Sequence, residues 1–142
     1  MIIDSLKFLV KEKWVEVNAF CLMSNHIHII WQIKDGYERD AIQRNFLKYT
    51  SQIIKKDLEK NHPKVLERFY VGAKEREYQF WKRNPLSVDL WTKEAFIQKM
   101  EYIHNNPVAA GLCVYPEDYK YSSSKFYTPG EDEFGIITHW MA

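Results

Sequence analysis

VEVNAFCLMSNHIHIIWQI, residues 15–33, is the stretch that decides the fold of this 142-residue chain. It is rich in β-branched and aromatic residues, and a turn signal interrupts it at Ser24-Asn25. Two apolar runs on either side of such a pair are typical of a β-hairpin. The sequence therefore predicts a strand at Val15–Leu22, a tight turn, and a second strand at His26–Ile33.

Helical spacing of apolar residues occurs on both sides of this hairpin. A first helix is predicted at the start of the chain, and a long one from about Glu38 to Lys60. A later helix is introduced by Trp91-Thr92, with the threonine as its cap. It is predicted to stop near Asn106, because Pro107 disfavours helical geometry in the residue before it. The apolar face predicted for the long helix comprises Ile42, Phe46, Tyr49, Ile53 and Ile54.

The segments around the late helix give weaker signals. Val65–Val71 is predicted as a short helix, and Glu77–Lys82 with Ser87–Leu90 as a second hairpin. Pro116–Tyr127 is predicted as a short helix followed by a polar turn. Together these elements predict a single α+β domain over residues 1–142, an antiparallel sheet flanked by helices.

The composition is that of an ordinary globular protein. The chain is 46% hydrophobic and 27% charged, and its formal net charge is only +1. Any nucleic-acid site must therefore be a local patch. Two distant cysteines make neither a paired metal motif nor a disulfide framework. Charges near the start interrupt any signal peptide, and no apolar stretch could span a bilayer, so the sequence predicts a cytoplasmic protein with no membrane partner.

Two histidines in the hairpin are the first candidate functional residues. His26 and His28 are two residues apart, and side chains alternate faces along a strand. Both imidazoles therefore point the same way, close enough to share one metal ion. Taken alone the pair is weak evidence, because a His-X-His pair in a strand is more often an exposed polar edge.

The late helix provides a second candidate group. Tyr102 and Asn106 are four residues apart and share one helical face, with Gln98 one turn earlier. The simpler interpretation is a half-buried tyrosine at a helix end, with Asn106 as a C-terminal cap. His104 is two residues after Tyr102 and so lies about 200° round the helix from it, which indicates a structural role and not a ligand.

Longer strings around both groups resemble the signatures of a known enzyme family. NAFCLMSNHIHII, residues 18–30, is similar to the His-hydrophobe-His signature of single-tyrosine (HUH) transposases. EYIHNNPVAAGL, residues 101–112, resembles their catalytic-helix signature. PEDY at 116–119 and YSS at 121–123 resemble the segment that follows. Within that superfamily, the resemblance is to the REP-associated tyrosine transposases.

This resemblance implies a fold, a reaction and a role for each of four residues. His26, His28 and Asn106 would hold a divalent metal, Mg²⁺ or Mn²⁺. Tyr102 would attack a phosphate of single-stranded DNA beside a hairpin, leaving a 5′-phosphotyrosine and a free 3′-hydroxyl. The implied fold is ferredoxin-like or palm-like, an antiparallel sheet flanked by helices. The family includes monomers and homodimers, and implies a prokaryotic protein associated with the nucleoid when bound to DNA.

Basic and aromatic residues suggest a DNA surface, although lysines on a helix are usually solvated and tryptophans are usually buried. The residues predicted to contact phosphates are Lys82, Arg83, Arg44 and Lys48. Those predicted to stack on unpaired bases, where exposed, are Tyr78, Trp81 and Trp91.

The start of the chain departs from the family pattern, because relatives usually carry a further strand before the first helix. A missing strand would leave an exposed sheet edge. Besides the enzyme, two other functions are therefore considered. One is a catalytically impaired DNA hairpin-binding protein derived from a transposase. The other is an unrelated metal-binding or hydrolytic domain in which the two histidines are a coincidence.

Overall fold

The structure is a computed structural model that describes residues 2–73, 76–81 and 87–141 of the 142-residue chain. It divides into two compact units, one of residues 1–6 and 37–87 and the other of residues 7–36 and 88–142. That residues 1–142 form a single domain stays a prediction. In chain order the elements are α1 (Ile2–Lys11), β1 (Val15–Leu22), β2 (Ile27–Ile33), α2 (Arg39–Asn61), α3 (Pro63–Glu67), β3 (Tyr70–Ala73), β4 (Arg76–Tyr78), α4 (Lys93–Ala109), a 3₁₀ turn (Pro116–Asp118) and α5 (Ser124–Tyr127).

The hairpin of the second unit follows the prediction closely. β1 and β2 are antiparallel, with pairs that run from Val15 opposite Ile33 to Leu22 opposite Ile27. The backbone N–H of Met23 donates to the carbonyl of His26 at 2.8 Å and closes the turn. β2 therefore begins one residue later than predicted, at Ile27.

The C-terminal segment covers the edge of β1 that faces away from β2. The N–H of Leu22 donates to the carbonyl of Tyr121 at 2.8 Å, and the N–H of Ser123 donates to the carbonyl of Phe20 at 3.0 Å. Farther along, the N–H of Thr138 donates to the carbonyl of Val17 at 2.9 Å. Because both of its edges have partners, β1 is almost entirely buried.

The core of this unit lies between the hairpin and α4. Side chains of the hairpin and of the helix are buried together there, and they are Ala19, Cys21, Met23, Ile30, Met100 and Ile103. Partly buried side chains, including those of Phe96 and Trp140, pack against this cluster. The apolar contacts fix the helix to the hairpin that carries the two histidines.

The start of α4 confirms the prediction, but its end does not. The Thr92 hydroxyl accepts a hydrogen bond from the N–H of Ala95 at 3.1 Å, as expected of an N-cap. The helix continues through Pro107 to Ala109 and does not stop near Asn106. Proline removes one N–H from the last turns, and burial of its ring offsets that local preference.

In the first unit, the long helix α2 lies within a residue of its predicted bounds, but its buried face differs. Ile42 and Phe46 are buried as predicted, whereas Tyr49 is 54% exposed and Thr50 is buried instead. The Thr50 hydroxyl donates to the carbonyl of Phe46 at 2.8 Å and accepts from the Trp81 indole at 2.9 Å. These two bonds allow a polar residue to occupy the apolar face.

The weaker sequence predictions are partly wrong. The short helix ends at Glu67, and the hairpin pairs β3 with β4 rather than Glu77–Lys82 with Ser87–Leu90. Gly72 has φ near +60°, a conformation that glycine adopts without strain, and it lies where β3 has its bulge. The region from 116 to 127 holds two short helical turns in place of one helix. No helix in the described part of the chain is long and apolar enough to cross a membrane.

Candidate active site

The two histidines of the hairpin lie side by side. The ring centroids of His26 and His28 are 5.0 Å apart, with the rings almost perpendicular, and both side chains are half-buried. This is the placement predicted from their spacing, since residues two apart on a strand share a face. The pair therefore offers two imidazoles to one small site.

Hydrogen bonds of His26 fix which of its nitrogens is free. Its Nδ1 lies 2.7 Å from the side-chain oxygen Oδ1 of Asn25, which can only accept, so Nδ1 carries the proton. Nε2 then keeps a lone pair, toward which the amide Nδ2 of Asn106 donates at 3.4 Å. This arrangement, in which a ring N–H bonds to an oxygen, leaves the opposite nitrogen available as a ligand.

Helix α4 brings Tyr102 and Asn106 to the same two histidines. The Tyr102 ring is edge-on to His28, with centroids 6.0 Å apart, and the tyrosine is 58% exposed. Asn106 is half-buried within the helix, not at its cap, because α4 continues beyond Pro107. The structure thus places all four predicted site residues together in one unit.

Lys99 is a neighbour of this group that the sequence reasoning missed. Its Nζ lies 4.7 Å from the centroid of the Tyr102 ring. Burial, then His26 and then Lys99 lower the pKa of His28. Such a histidine is neutral at neutral pH, which is the form that binds metals. Its position three residues before Tyr102, on the same helical face, could have indicated Lys99 as a site residue from the sequence.

The donor set of the site fits a divalent metal with open coordination positions. It would consist of two imidazole nitrogens and the amide oxygen of Asn106, once that amide turns to present its oxygen. No group of three His, Cys, Asp or Glu side chains suited to a metal occurs in residues 2–73, 76–81 and 87–141. The candidate set differs from such groups because its third member is an amide.

His104 lies on the buried side of α4. Its Nε2 is 2.6 Å from the hydroxyl of Ser123, and that hydroxyl also accepts the backbone N–H of Phe20 at 2.9 Å. Burial lowers the pKa of His104 to about 4. The residue thus joins α4 to the C-terminal segment and, through Ser123, to β1.

Comparison with known proteins identifies one similar sequence and one similar fold. No family model matches the chain. A protein of Haemophilus influenzae that carries the name REP-associated tyrosine transposase is 28% identical over 111 residues, which are 76% of this chain and 58% of that relative. A solved structure of a REP-associated tyrosine transposase bound to a REP hairpin superposes with a TM-score of 0.65 at 17% identity, over 99% of this chain and 76% of the other.

The chain is a relative of the REP-associated tyrosine transposases. The resemblance drawn from its motifs is thereby confirmed, and so is the α+β fold. At 17% identity, the structural likeness shows the fold alone. The chain spans little more than half the length of its Haemophilus relative, 58%.

An open cleft adjoins Tyr102. It has a volume of about 580 Å³ and follows one face of α4 past Gln98, Glu101 and Asn105. Glu117 of the 3₁₀ turn contributes to the opposite wall. The cleft is lined by amides and carboxylates and lies beside the exposed tyrosine, so a polar substrate can reach the phenol.

The predicted DNA contacts lie in different parts of the chain. Arg44 and Lys48 are exposed on α2 in the first unit. Lys82 and Arg83 lie outside the described residues. Among the aromatic residues, Trp91 is 87% exposed beside the start of α4. The two other candidates are half-buried, since Trp81 bonds to Thr50 and Tyr78 lies under the ammonium of Lys55.

Proposed function

We propose that the protein is a metal-dependent transesterase that cleaves and rejoins single-stranded DNA at or near hairpins, with Tyr102 as the nucleophile. The convergence of Tyr102 on His28, at 6.0 Å between ring centroids, is the observation that carries the proposal. A nucleophile on a helix lies beside the imidazoles of the hairpin, and the same tyrosine lines an open cleft. The relative of known structure is bound to a REP hairpin, which supports a DNA hairpin as the partner.

The reaction would exchange one phosphate ester for another. The Tyr102 oxygen would form a bond to the scissile phosphorus while the bond from phosphorus to the 3′ oxygen breaks. The phenol would lose its proton to solvent, and the leaving 3′ oxygen would gain one. The products are a 5′-phosphotyrosine and a free 3′-hydroxyl, and the same exchange with another 3′-hydroxyl would join a strand without ATP.

The chain supplies ligands suited to the charge that this reaction develops. Tyrosine has a pKa near 10 in water, so attack at neutral pH needs stabilisation of the forming anionic centre. His26, His28 and Asn106 would hold a divalent ion, Mg²⁺ or Mn²⁺, which supplies a Lewis acid for the phosphate oxygens. Two imidazoles among three ligands favour Mn²⁺ over Mg²⁺.

The first test is formation of a covalent adduct with labelled hairpin oligonucleotides that carry single-stranded flanks, in the presence of Mn²⁺. We expect a protein–DNA band that resists denaturant and that is lost with Tyr102→Phe and with a chelator. Tyr115→Phe is the matched control, because Tyr115 is similarly exposed at 61% but lies outside the group of four site residues. This control should form the adduct normally.

Two other outcomes would reject the enzyme. Hairpin binding without any adduct would indicate a hairpin-binding protein derived from a transposase. Neither binding nor adduct, from protein shown to be folded by circular dichroism and across a broad set of hairpins, would reject both functions.

A further inference from the structure

The environment of Lys99 combines partial burial with a contact to an aromatic ring. The residue is half-buried on α4, one helical turn before Tyr102, with Nζ 4.7 Å from the centroid of the tyrosine ring. Among residues 2–73, 76–81 and 87–141, no carboxylate lies within ion-pair distance of it. Among the other half-buried lysines of that part of the chain, Lys34 pairs with Glu16 at 2.8 Å and Lys55 with Glu59 at 3.8 Å, whereas Lys125 has no carboxylate partner there.

This ammonium lies beside the proposed nucleophile, over the ring of Tyr102. A half-buried cation without a carboxylate partner favours an anion beside it. The anion that Tyr102 would meet is the phosphate that it attacks.

We propose that Lys99 is a catalytic residue of this site, whose ammonium contacts a non-bridging oxygen of the scissile phosphate as Tyr102 attacks. The inference rests on the function proposed above. Lysine binds phosphate as a point charge, and negative charge on the phosphate oxygens is best stabilised by a cation already in place. Lys99 transfers no proton in this step, so the bonds formed and broken remain those of the phosphate exchange.

A different role for Lys99 must be separated from this one. The ammonium could simply hold the Tyr102 ring in place by a cation–π contact, without touching substrate. Lys93 provides a matched control, because it lies on the same helix with Nζ 5.3 Å from the centroid of the Trp140 ring. It makes the same kind of contact with an aromatic ring outside the proposed active site.

The test compares rates of adduct formation on two substrates in single turnovers with Mn²⁺. One hairpin oligonucleotide has a native scissile phosphate, and the other has a methylphosphonate there, which lacks one charged oxygen; both stereoisomers are used. On the native substrate we expect Lys99→Gln to slow adduct formation by about 10²–10³-fold, the usual effect of removing one such group, with hairpin binding unchanged. Lys99→Arg should recover part of the rate, and Lys93→Gln should match the wild type.

The methylphosphonate separates the two roles. If Lys99 contacts the phosphate, the rate difference between wild type and Lys99→Gln should largely disappear on at least one stereoisomer. An equal loss of rate on both substrates would overturn the assignment and leave Lys99 as a residue that positions Tyr102. An unchanged rate with Lys99→Gln, while the wild type forms adduct, would overturn it but keep the proposed function. A wild type that forms no adduct would reject the function itself, and the role of Lys99 with it.

Discussion

Burial of His104 makes the free energy of unfolding depend on pH. Burial lowers the pKa of His104 from its ordinary value of 6.5 to about 4, because the folded chain excludes water from the imidazole. Between these two values the unfolded chain binds a proton that the folded chain does not. The stability that this difference contributes is complete above pH 6.5 and is lost as the pH falls toward 4.

We therefore expect the free energy of unfolding to fall as the medium is acidified over this range, by up to about 1.4 kcal/mol per pH unit from His104. Urea denaturation at about pH 7 and about pH 5 would measure this loss. His104→Asn should be less stable than the wild type but should have a smaller pH dependence. The same substitution at exposed His62 should leave the pH dependence unchanged. Equal pH dependence in wild type and His104→Asn would contradict the assignment.

Spacing predicted which candidate site residues share a face, whereas the roles assigned to them come from the family resemblance. The alternation of side chains along a strand predicted that His26 and His28 share a face. The periodicity of a helix predicted the same for Tyr102 and Asn106. Lys99 obeys the same periodicity, but lysines on a helix are usually solvated, so its sequence position carries little information. Its contact with Tyr102 depends on a rotamer that only the folded structure specifies.

The length of α4 determines whether the Asn106 side chain can act as a ligand in the proposed site. The helix continues past Pro107, so Asn106 keeps the helical position that places it on the same face as Tyr102. Asn106→Ala should raise the Mn²⁺ concentration needed for half-maximal adduct formation by at least about 10-fold, the low end for loss of a group that supports a metal.

Asn105→Ala is the control for that measurement, because Asn105 is the preceding residue of the same helix and faces the cleft. It should not change the metal requirement. Identical Mn²⁺ titrations for Asn106→Ala and wild type would show that Asn106 is not a ligand.

Helices and strands were predicted well where the periodic pattern of apolar residues was long, and less well where it was short. The hairpin of β1 and β2 and the helix α2 agree with the sequence to within a residue or two. β3 and β4 have four and three residues, too few for alternation to be recognised. The end of α4 was missed because a local preference of proline was overridden by burial of Pro107 in the tertiary structure.

Across the molecule, a net charge of +1 leaves little general attraction for DNA, so local contacts would have to supply the affinity that the proposed function needs. Trp91 is the most exposed large apolar side chain of the described residues, at 87%. If it stacks on an unpaired base, Trp91→Ala should weaken binding of the single-stranded flank by about 1–3 kcal/mol without changing the melting temperature.

Fluorescence anisotropy with flanked and flankless hairpins would measure this effect. Trp140→Ala provides the contrast, because Trp140 packs against the core of the second unit and its loss should lower the melting temperature. If Trp91→Ala bound the flanked hairpin as tightly as the wild type, Trp91 would have no role in stacking.

The overall α+β class could be inferred from the order of the elements, and the transposase relationship from two motifs. The long-range pairing of the chain could not be inferred in this way. Backbone groups of β1 bond to residues 121–123 and to Thr138, which lie about a hundred positions away along the chain. Hydrogen bonds between main-chain atoms leave no sequence pattern of their own, so nothing in the tail identified its partner strand.

This pairing has a consequence for how the protein is made. A ribosome releases the chain from its N-terminus, so β1 emerges long before Tyr121, Ser123 and Thr138 have been synthesised. Until then the outer edge of β1 has no native partner, and contacts between residues so distant in sequence form slowly. The tyrosine and the histidines are thus translated before the backbone that completes their scaffold. The nascent chain therefore closes this sheet only after residues 121–138 have been made, and until then its unpaired strand is a site for chaperone binding or aggregation.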